Sequence, residues 1–377
     1  MRLNLIRLGQ FRGFTSAEWR PGPGFNLVLG GNGAGKTSLL EAAHLLAHGR
    51  SFRGRVRDGL VRSGAEALEV YAEWIAESGP GRTRRAGLRH GGQAWEARMD
   101  GARVGTLADL CAEIAVVSFE PGSHELVTGP AEVRRRFLDW SLFHVEPDFL
   151  PCWRRYARAL RQRNALLKAR AAAAALDPWD EALAEAGERL HGFRDAHVGQ
   201  WRPGILEQLQ AVLPELGGAR LGYAPGWRQA ERSLIDSLRQ SRDRDLALGY
   251  TVSGPHRADW RVDFDALPGR EALSRGQGKL VALAAVLSQA ALFAAVRGEW
   301  PVIALDDLGS ELDAEHQRRV LSGLSDTPAQ VLITGTEPPT GLSGLGLDLV
   351  VFHVEQGAVR AGPAAAGPAD RGSPEAL

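Results

Sequence analysis

The sequence predicts an α/β protein whose nucleotide-binding sheet is assembled from both ends of the chain around a large helical insertion. Three observations lead there. A glycine-rich loop, GGNGAGKT at 30–37, follows the short apolar run FNLVL and precedes an apolar-faced helix. A second apolar run, Val302–Leu305, ends in the paired carboxylates Asp306 and Asp307. Between them, from 130 to about 245, Ala, Leu, Arg and Glu recur at helical spacing with few strand signals.

At 377 residues the chain holds about two ordinary domains, or one core with a large insertion. Its 45 basic and 45 acidic residues cancel, so any attraction to nucleic acid has to be local. The basic residues are nearly all Arg, with Lys only at 36, 168 and 279. Cys111 and Cys152 are too few for a disulfide framework or a cysteine zinc site and suit a reducing cytosol. The ten His show no zinc spacing.

In chain order, MRLNLIRLGQFRGF alternates like a strand and lacks the core of a signal peptide. Residues 1–29 read as strands joined by the turn RPGPG, and 37–48 as a helix closed by Gly49. Short alternating segments from 65 to 105 read as antiparallel hairpins, and EIAVVSFEP as a buried strand. The helical insertion is expected to break at Pro178 and again in the Gly/Pro-rich stretch 214–226. DWRVDFDAL, WPVIALDD and AQVLIT read as strands, and 313–324 as a helix. The run Leu280–Val296 is shorter than a bilayer span, carries Ser288 and Gln289, and reads as a buried helix of a soluble protein. The ending GPAAAGPADRGSPEAL is expected to be disordered.

The loop 30–37 satisfies the phosphate-loop pattern. Gly30, Asn32, Gly33, Ala34, Gly35 and Ser38 would surround an anion at the helix N-terminus. Lys36 would reach the β and γ phosphates of ATP, and the Thr37 hydroxyl would ligate Mg²⁺. The alternative is a turn that merely joins strand to helix. Asp306, at the carboxyl end of a buried strand, would hold Mg²⁺, and Asp307 would polarise the attacking water. Here the alternative is a solvated carboxylate pair. The separation, 306 − 36 = 270 residues, requires the sheet to draw on both chain ends.

This arrangement resembles the ABC-type ATPase heads of the SMC class, without room for their long coiled coils. LSRGQ at 273–277 then corresponds to the signature motif, in which Ser274, Gly276 and Gln277 would meet the γ-phosphate held by a second copy of the chain. Arg275 stands where that motif has a second glycine. The sequence is more closely similar to the RecF family of bacterial recombination mediators. FRGF, GRSFRG, VVSFEPGSHELVTGPAEVRRRFLDW, TVSGPHRADW and LDDLGSELD carry this resemblance in family order, up to about residue 336. It implies a discontinuous lobe I, 1–120 with 298–361, a mostly helical lobe II, 121–297, and a disordered tail, 362–377. By the same resemblance Arg12 and Gly13 border the adenine or ribose, and Ser310 and Asp313 lie at a dimer interface. Asp307 replaces the usual Glu, which predicts slow turnover. No Gln stands in the loop near Glu120 and no His follows QVLIT, where Thr334 is the nearest polar residue.

The implied function is an ATP-dependent switch, a weak, DNA-stimulated ATPase that dimerises on double-stranded or gapped DNA and works with RecR, RecO and RecA. The rivals are an ATPase subunit of a membrane transporter and a non-catalytic ATP-binding scaffold. For DNA contacts the sequence offers two arginine clusters, Arg50, Arg53, Arg55 and Arg57, and Arg134, Arg135 and Arg136. Each could equally be a solvated or acid-paired face.

Overall fold

The N-terminal alternation forms β1 (Arg2–Phe11), whose inward Leu3, Ile6 and Leu8 are fully or nearly fully buried. It pairs antiparallel with β2 (Phe14–Trp19). The RPGPG turn is pinned by Asn26, whose amide donates to the carbonyls of Gly22 (3.0 Å) and Gly24 (2.9 Å) and accepts from Gly22 N–H at 2.6 Å. Asn26 belongs to β3 (Phe25–Leu29), buried over four of its five residues. The glycine loop leads into α1 (Lys36–His48), whose buried positions run almost all round, and Gly49 closes it in a left-handed conformation. Such a helix needs apolar surroundings on several sides. It finds them by packing on β1 and on strands of a second sheet.

The hairpin region folds as β4 (Leu68–Ile75), β5 (Thr83–His90), β6 (Trp95–Met99) and β7 (Ala102–Arg103), giving a six-stranded sheet of order β2-β1-β4-β5-β6-β7. A short α2 (Leu107–Cys111), opened by a capping box between Thr106 and Asp109, leads to β8 (Val116–Phe119). The structure, a computed structural model, describes residues 1–54, 59–76, 81–92, 94–267, 273–342 and 344–362. The chain divides into two units, Met1–Gly122 with Phe293–Leu377, and Ser123–Leu292.

The second unit contains α3 (Glu125–Thr128), α4 (Ala131–Val145), α5 (Phe149–Lys168) and α6 (Ala173–Val212), then β9 (Ala219–Ala224), α7 (Leu234–Gln240), α8 (Arg242–Leu248) and β10 (Asp259–Phe264). Two expectations need correction. The 40-residue α6 runs through both Pro178 and Pro203. Pro178 lies near the start of the helix, and the carbonyl its missing N–H leaves unpaired belongs to exposed Ala174. Nor is the Gly/Pro-rich stretch only a break, since β9 within it pairs antiparallel with β10 from Ala224↔Asp259 to Ala219↔Phe264.

Next comes α9 (Arg275–Arg297), whose residues Val281 to Ala285 are at most 1% exposed. By length and composition this helix could cross a membrane, yet 67% of its apolar window is buried. The chain then returns to the first unit through β11 (Val302–Leu305), α10 (Leu308–Glu311), α11 (Ala314–Ser325), β12 (Val331–Gly335), β13 (Leu349–Glu355) and β14 (Ala358–Ala361). The second sheet has the order β14-β13-β3-β12-β11-β8, parallel from β13 to β8. N-terminal β3 and β8 thus interleave with C-terminal β11, β12 and β13. Buried Gln330 joins the two sheets, accepting from Leu3 N–H at 2.8 Å and donating to Leu3 O at 2.9 Å. Of the expected tail, everything beyond Gly362 lies outside the described residues, as do Arg55 and Arg57.

Candidate nucleotide site

The loop 30–37 turns sharply over the carboxyl end of β3. Gly35 caps α1 with φ 113°, and a Cβ there would stand 2.6 Å from the Phe14 ring, so the position demands glycine. A Cβ on Gly30 would meet Val354 O at 2.5 Å. Around Gly31 and Gly33, by contrast, the space is open. No side chain caps α1 and its first turn holds no acid, leaving its N-terminal amides for an outside anion. Lys36 Nζ donates to the carbonyls of Gly30 (2.8 Å) and Gly31 (3.0 Å), so the ammonium sits within the loop.

The carboxylates arrive from β11, separated from β3 by β12, and a single side chain from β12 organises them. Thr334 Oγ1 donates to Asp306 Oδ1 at 2.6 Å and accepts the Asp307 N–H at 2.9 Å. Thr37 Oγ1 donates to the same Asp306 oxygen at 3.0 Å, bringing the end of the glycine loop onto the acidic pair. Burial pushes the Asp306 carboxyl above the usual carboxylate range, opposed by the hydrogen bonds from Thr334 and Thr37. Asp307 adopts a left-handed backbone with φ 54°, a conformation uncommon outside glycine. Its carboxylate is half-buried and accepts no hydrogen bond among the described residues.

These donors suit Mg²⁺, which takes one or two carboxylates, a hydroxyl, and oxygens from phosphate and water. Accordingly, the described residues hold no group of three or more His, Cys, Asp or Glu that could bind a metal by itself.

Arg12, expected at the base or ribose, meets a carboxylate of α1. Its guanidinium makes a two-pronged contact with fully buried Glu41 of α1, at 3.0 and 2.6 Å. Ser51 also donates to Glu41, and Arg53 approaches it to 3.8 Å. Glu41 therefore ties the β1–β2 turn and the loop after α1 to the phosphate-loop helix. As one charge in an apolar helix it was the available signal for this role, and sequence reasoning passed over it. Exposed Gly13 has nothing within 4 Å of its Cβ position. Ser310 is exposed and donates to Asp307 O at 3.1 Å; Asp313 caps α11, accepting from Glu315 and His316 N–H at 3.1 and 3.0 Å.

At the start of α9, Ser274 and Gln277 form a reciprocal capping box. Gln277 Oε1 accepts the Ser274 N–H at 2.9 Å, and Ser274 Oγ accepts the Gln277 N–H at 3.2 Å. Ser274, Arg275 and Gly276 are exposed.

In the second arginine cluster the three residues differ, Arg134 being buried, Arg135 half-buried and Arg136 exposed. Arg134 is 2% exposed; Asp259 grips it at 2.6 and 3.0 Å, and it donates to Gly129 O at 2.8 Å, so its charge is withheld from an external phosphate. Arg135 donates to Ala258 O at 2.8 Å, and Arg136 pairs with Glu132 one helical turn away. Asp139, four residues on from Arg135, receives Arg194 at 2.8 Å through both oxygens. Arg194 also donates to Pro255 O at 2.7 Å. The segments RRRFLD and GPHRAD are thus wired to each other. Of the first cluster, Arg53 faces Glu41, Arg50 is exposed, and Arg55 and Arg57 lie outside the described residues.

A glycine loop and a carboxylate pair at the ends of two parallel strands with one strand between them, and a capped signature-like helix elsewhere in the chain, define the class as a P-loop ATPase head of the ABC and SMC type. A family model for the RecF/RecN/SMC N terminal domain matches residues 2–341. The chain belongs to the RecF family. It is 58% identical over 359 residues to the DNA replication and repair protein RecF of Xanthomonas euvesicatoria, covering 95% of this chain and 97% of that one. To its counterpart in Stenotrophomonas maltophilia it is 55% identical over 365 residues, covering 96% and 100%. Among solved structures, the recombination mediator RecF with ATP, of the RecFOR pathway, superposes with a TM-score of 0.85 at 26% identity, covering 96% of this chain and 97% of that one. An Smc head from Pyrococcus furiosus shares the fold at a TM-score of 0.56.

Proposed function

We propose that this chain is an ATP-driven DNA clamp of recombinational repair, acting in the cytoplasm as a slow switch. The observation that carries the reading is the triangle of Thr37, Asp306 and Thr334, which unites the phosphate loop with the acidic strand end. Lys36 and the α1 amides bind the phosphates, and Lys36 exchanges its two carbonyl partners for phosphate oxygens. Thr37 and Asp306 hold Mg²⁺, which when bound neutralises phosphate charge. Asp307, its backbone fixed by Thr334 and its carboxylate unengaged, orients the attacking water. Its reach is one methylene shorter than that of Glu, which favours a low turnover.

Ser274, Gly276 and Gln277 complete the site of a second copy, so that ATP draws two chains together, with Ser310 and Asp313 at the contact. The closed dimer holds duplex DNA beside a gap, DNA stimulates hydrolysis, and hydrolysis releases it. RecR is the direct partner in this reading, and RecO and RecA follow at the single-stranded gap. Light scattering with and without ATP and duplex DNA tests it: the protein dimerises only with ATP. Lys36→Ala stays monomeric, whereas Asp307→Asn dimerises and remains on DNA after wild type has left. A monomer under every condition, or equal DNA retention by both variants, defeats the proposal.

A further inference from the structure

The helix α5, FLPCWRRYARALRQRNALLK, contains six basic residues and no Asp or Glu. Its buried positions, Phe149, Cys152, Tyr156, Ala159, Arg163 and Leu167, form one stripe. Arg163 on that stripe is fully buried and neutralised by Asp180 (2.5 Å) and Asp245 (2.6 Å). Arg155, on the flank, pairs with Glu185. The other four, Arg154, Arg158, Arg161 and Lys168, recur at steps of three, four and seven on the opposite face and are exposed. None of them has an ion-pair or side-chain hydrogen-bond partner among the described residues. They span about 21 Å at the helical rise of 1.5 Å per residue. Near the far end Lys168 packs against Gly249, and the next residue, exposed Tyr250, carries exposed Arg257 at 5.4 Å over its ring.

In a chain without net charge, like charges one turn apart on a helix oppose the helix unless an outside anion offsets them. An extended row of four fits a regularly charged polyanion better than a single phosphate. We infer that the outer face of α5 is where the protein grips the phosphate backbone of duplex DNA. The inference rests on the DNA-clamp reading above and assigns its contact surface, in place of the Arg134–Arg136 cluster. Contacts of this kind are indifferent to sequence and strongly salt-dependent.

The test compares wild type with full-length Arg154→Gln/Arg158→Gln/Arg161→Gln/Lys168→Gln, by fluorescence anisotropy on a duplex with ATP present, across a salt series. Four lost phosphate contacts remove about 3.6 from the slope of log K against log salt. Between 50 and 200 mM salt the wild type loses roughly 150-fold more affinity than the variant through this difference alone. ATP binding and the basal ATPase rate stay unchanged. The paired variants Arg154→Gln/Arg158→Gln and Arg161→Gln/Lys168→Gln each remove about 1.8 from the slope, and Arg154→Lys/Arg158→Lys/Arg161→Lys keeps it. Should wild type bind no duplex, the clamp reading itself fails. Should wild type bind and the fourfold variant match it in affinity and slope, only the α5 assignment fails. Loss of RecR binding with DNA binding intact overturns it in favour of a protein-docking face.

Discussion

Removing the carboxylate of Asp259 separates a structural Arg134 from a DNA-contacting one. In Asp259→Ala the guanidinium loses two charge-assisted hydrogen bonds, at 2.6 and 3.0 Å, while its own position remains 2% exposed. Breaking a fully buried pair costs about 3–5 kcal/mol, because the surviving charge stays desolvated. The Asp259 side chain is 30% exposed, and Gly129 O still accepts at 2.8 Å, which places the expected loss near about 3 kcal/mol. For a unit of this size that lowers the melting temperature by about 6–12 °C. Urea unfolding followed by tryptophan fluorescence reads it locally, since Trp260 Nε1 donates to Arg134 O at 3.0 Å and Trp260 lies edge-on to Trp201 at 5.0 Å. Arg134→Met/Asp259→Ala removes both charges and recovers part of the loss. The reasoning is refuted if Asp259→Ala unfolds within about 0.5 kcal/mol of wild type while Arg134→Met lowers the salt dependence of DNA binding.

Other consequences are as direct. Thr334→Val strips one hydrogen bond from Asp306 and leaves the Asp307 N–H unpaired, so steady-state hydrolysis falls at least about tenfold with ATP affinity little changed; Thr334→Ser restores it, and equal rates for Val and Thr would show that the threonine positions nothing. Gly35→Ala forces a methyl toward Phe14 at positive φ and abolishes binding of a fluorescent ATP analogue; retained binding would contradict the loop geometry. Ser274→Ala breaks the capping box and costs about 1 kcal/mol of helix stability, while Ser274→Asp retains the cap but repels a γ-phosphate. ATP-dependent dimerisation measured for both variants separates capping from phosphate contact. Burial pushes His197 down to about 4, so the unfolded chain takes up its proton first as pH falls below about 6.5. Its stabilisation is complete above that pH and is lost as pH falls toward 4, by roughly 2 kcal/mol at pH 5. Unfolding midpoints of wild type and His197→Leu at pH 7.5 and 5 check this, and identical pH dependence would sink it.

What could be read in advance was whatever short-range pattern encodes. The run FNLVL followed by GGNGAGKT specifies strand, turn and helix N-terminus within thirteen residues. Val302–Leu305 before Asp306 specifies a buried strand with acids at its end. Thr334 was noticed only because a histidine was missing, and its double hydrogen bond depends on β12 lying between β3 and β11, a long-range pairing that local spacing does not encode. Arg134 shows the opposite failure. RRR reads as surface charge, and only the partner 125 residues away, Asp259, explains how one of the three comes to be buried. Pro178 misled because helix breaking was assigned to the residue type, whereas the cost depends on which carbonyl is orphaned and whether water reaches it.

The fate of each arginine in the second unit follows from one energetic rule. A guanidinium enters the interior only with a carboxylate, because desolvating it alone costs several kcal/mol. Arg134 with Asp259, Arg163 with Asp180 and Asp245, and Arg194 with Asp139 all obey it. These pairs join segments far apart in sequence, so their charges serve to align α4, α5, α6, α8 and β10. A surface guanidinium is under no such obligation, though several exposed arginines here still pair with an acid, as Arg155 does with Glu185 and Arg189 with Asp148. The outer face of α5 departs from both patterns. Arg154 and Arg158, and then Arg158 and Arg161, stand one turn apart with no carboxylate on the helix, at a cost of about 0.2–0.5 kcal/mol per pair to the isolated helix. Intramolecular stability does not account for that arrangement. The DNA phosphate backbone proposed above would offset it, and the same requirement would make that binding sensitive to salt.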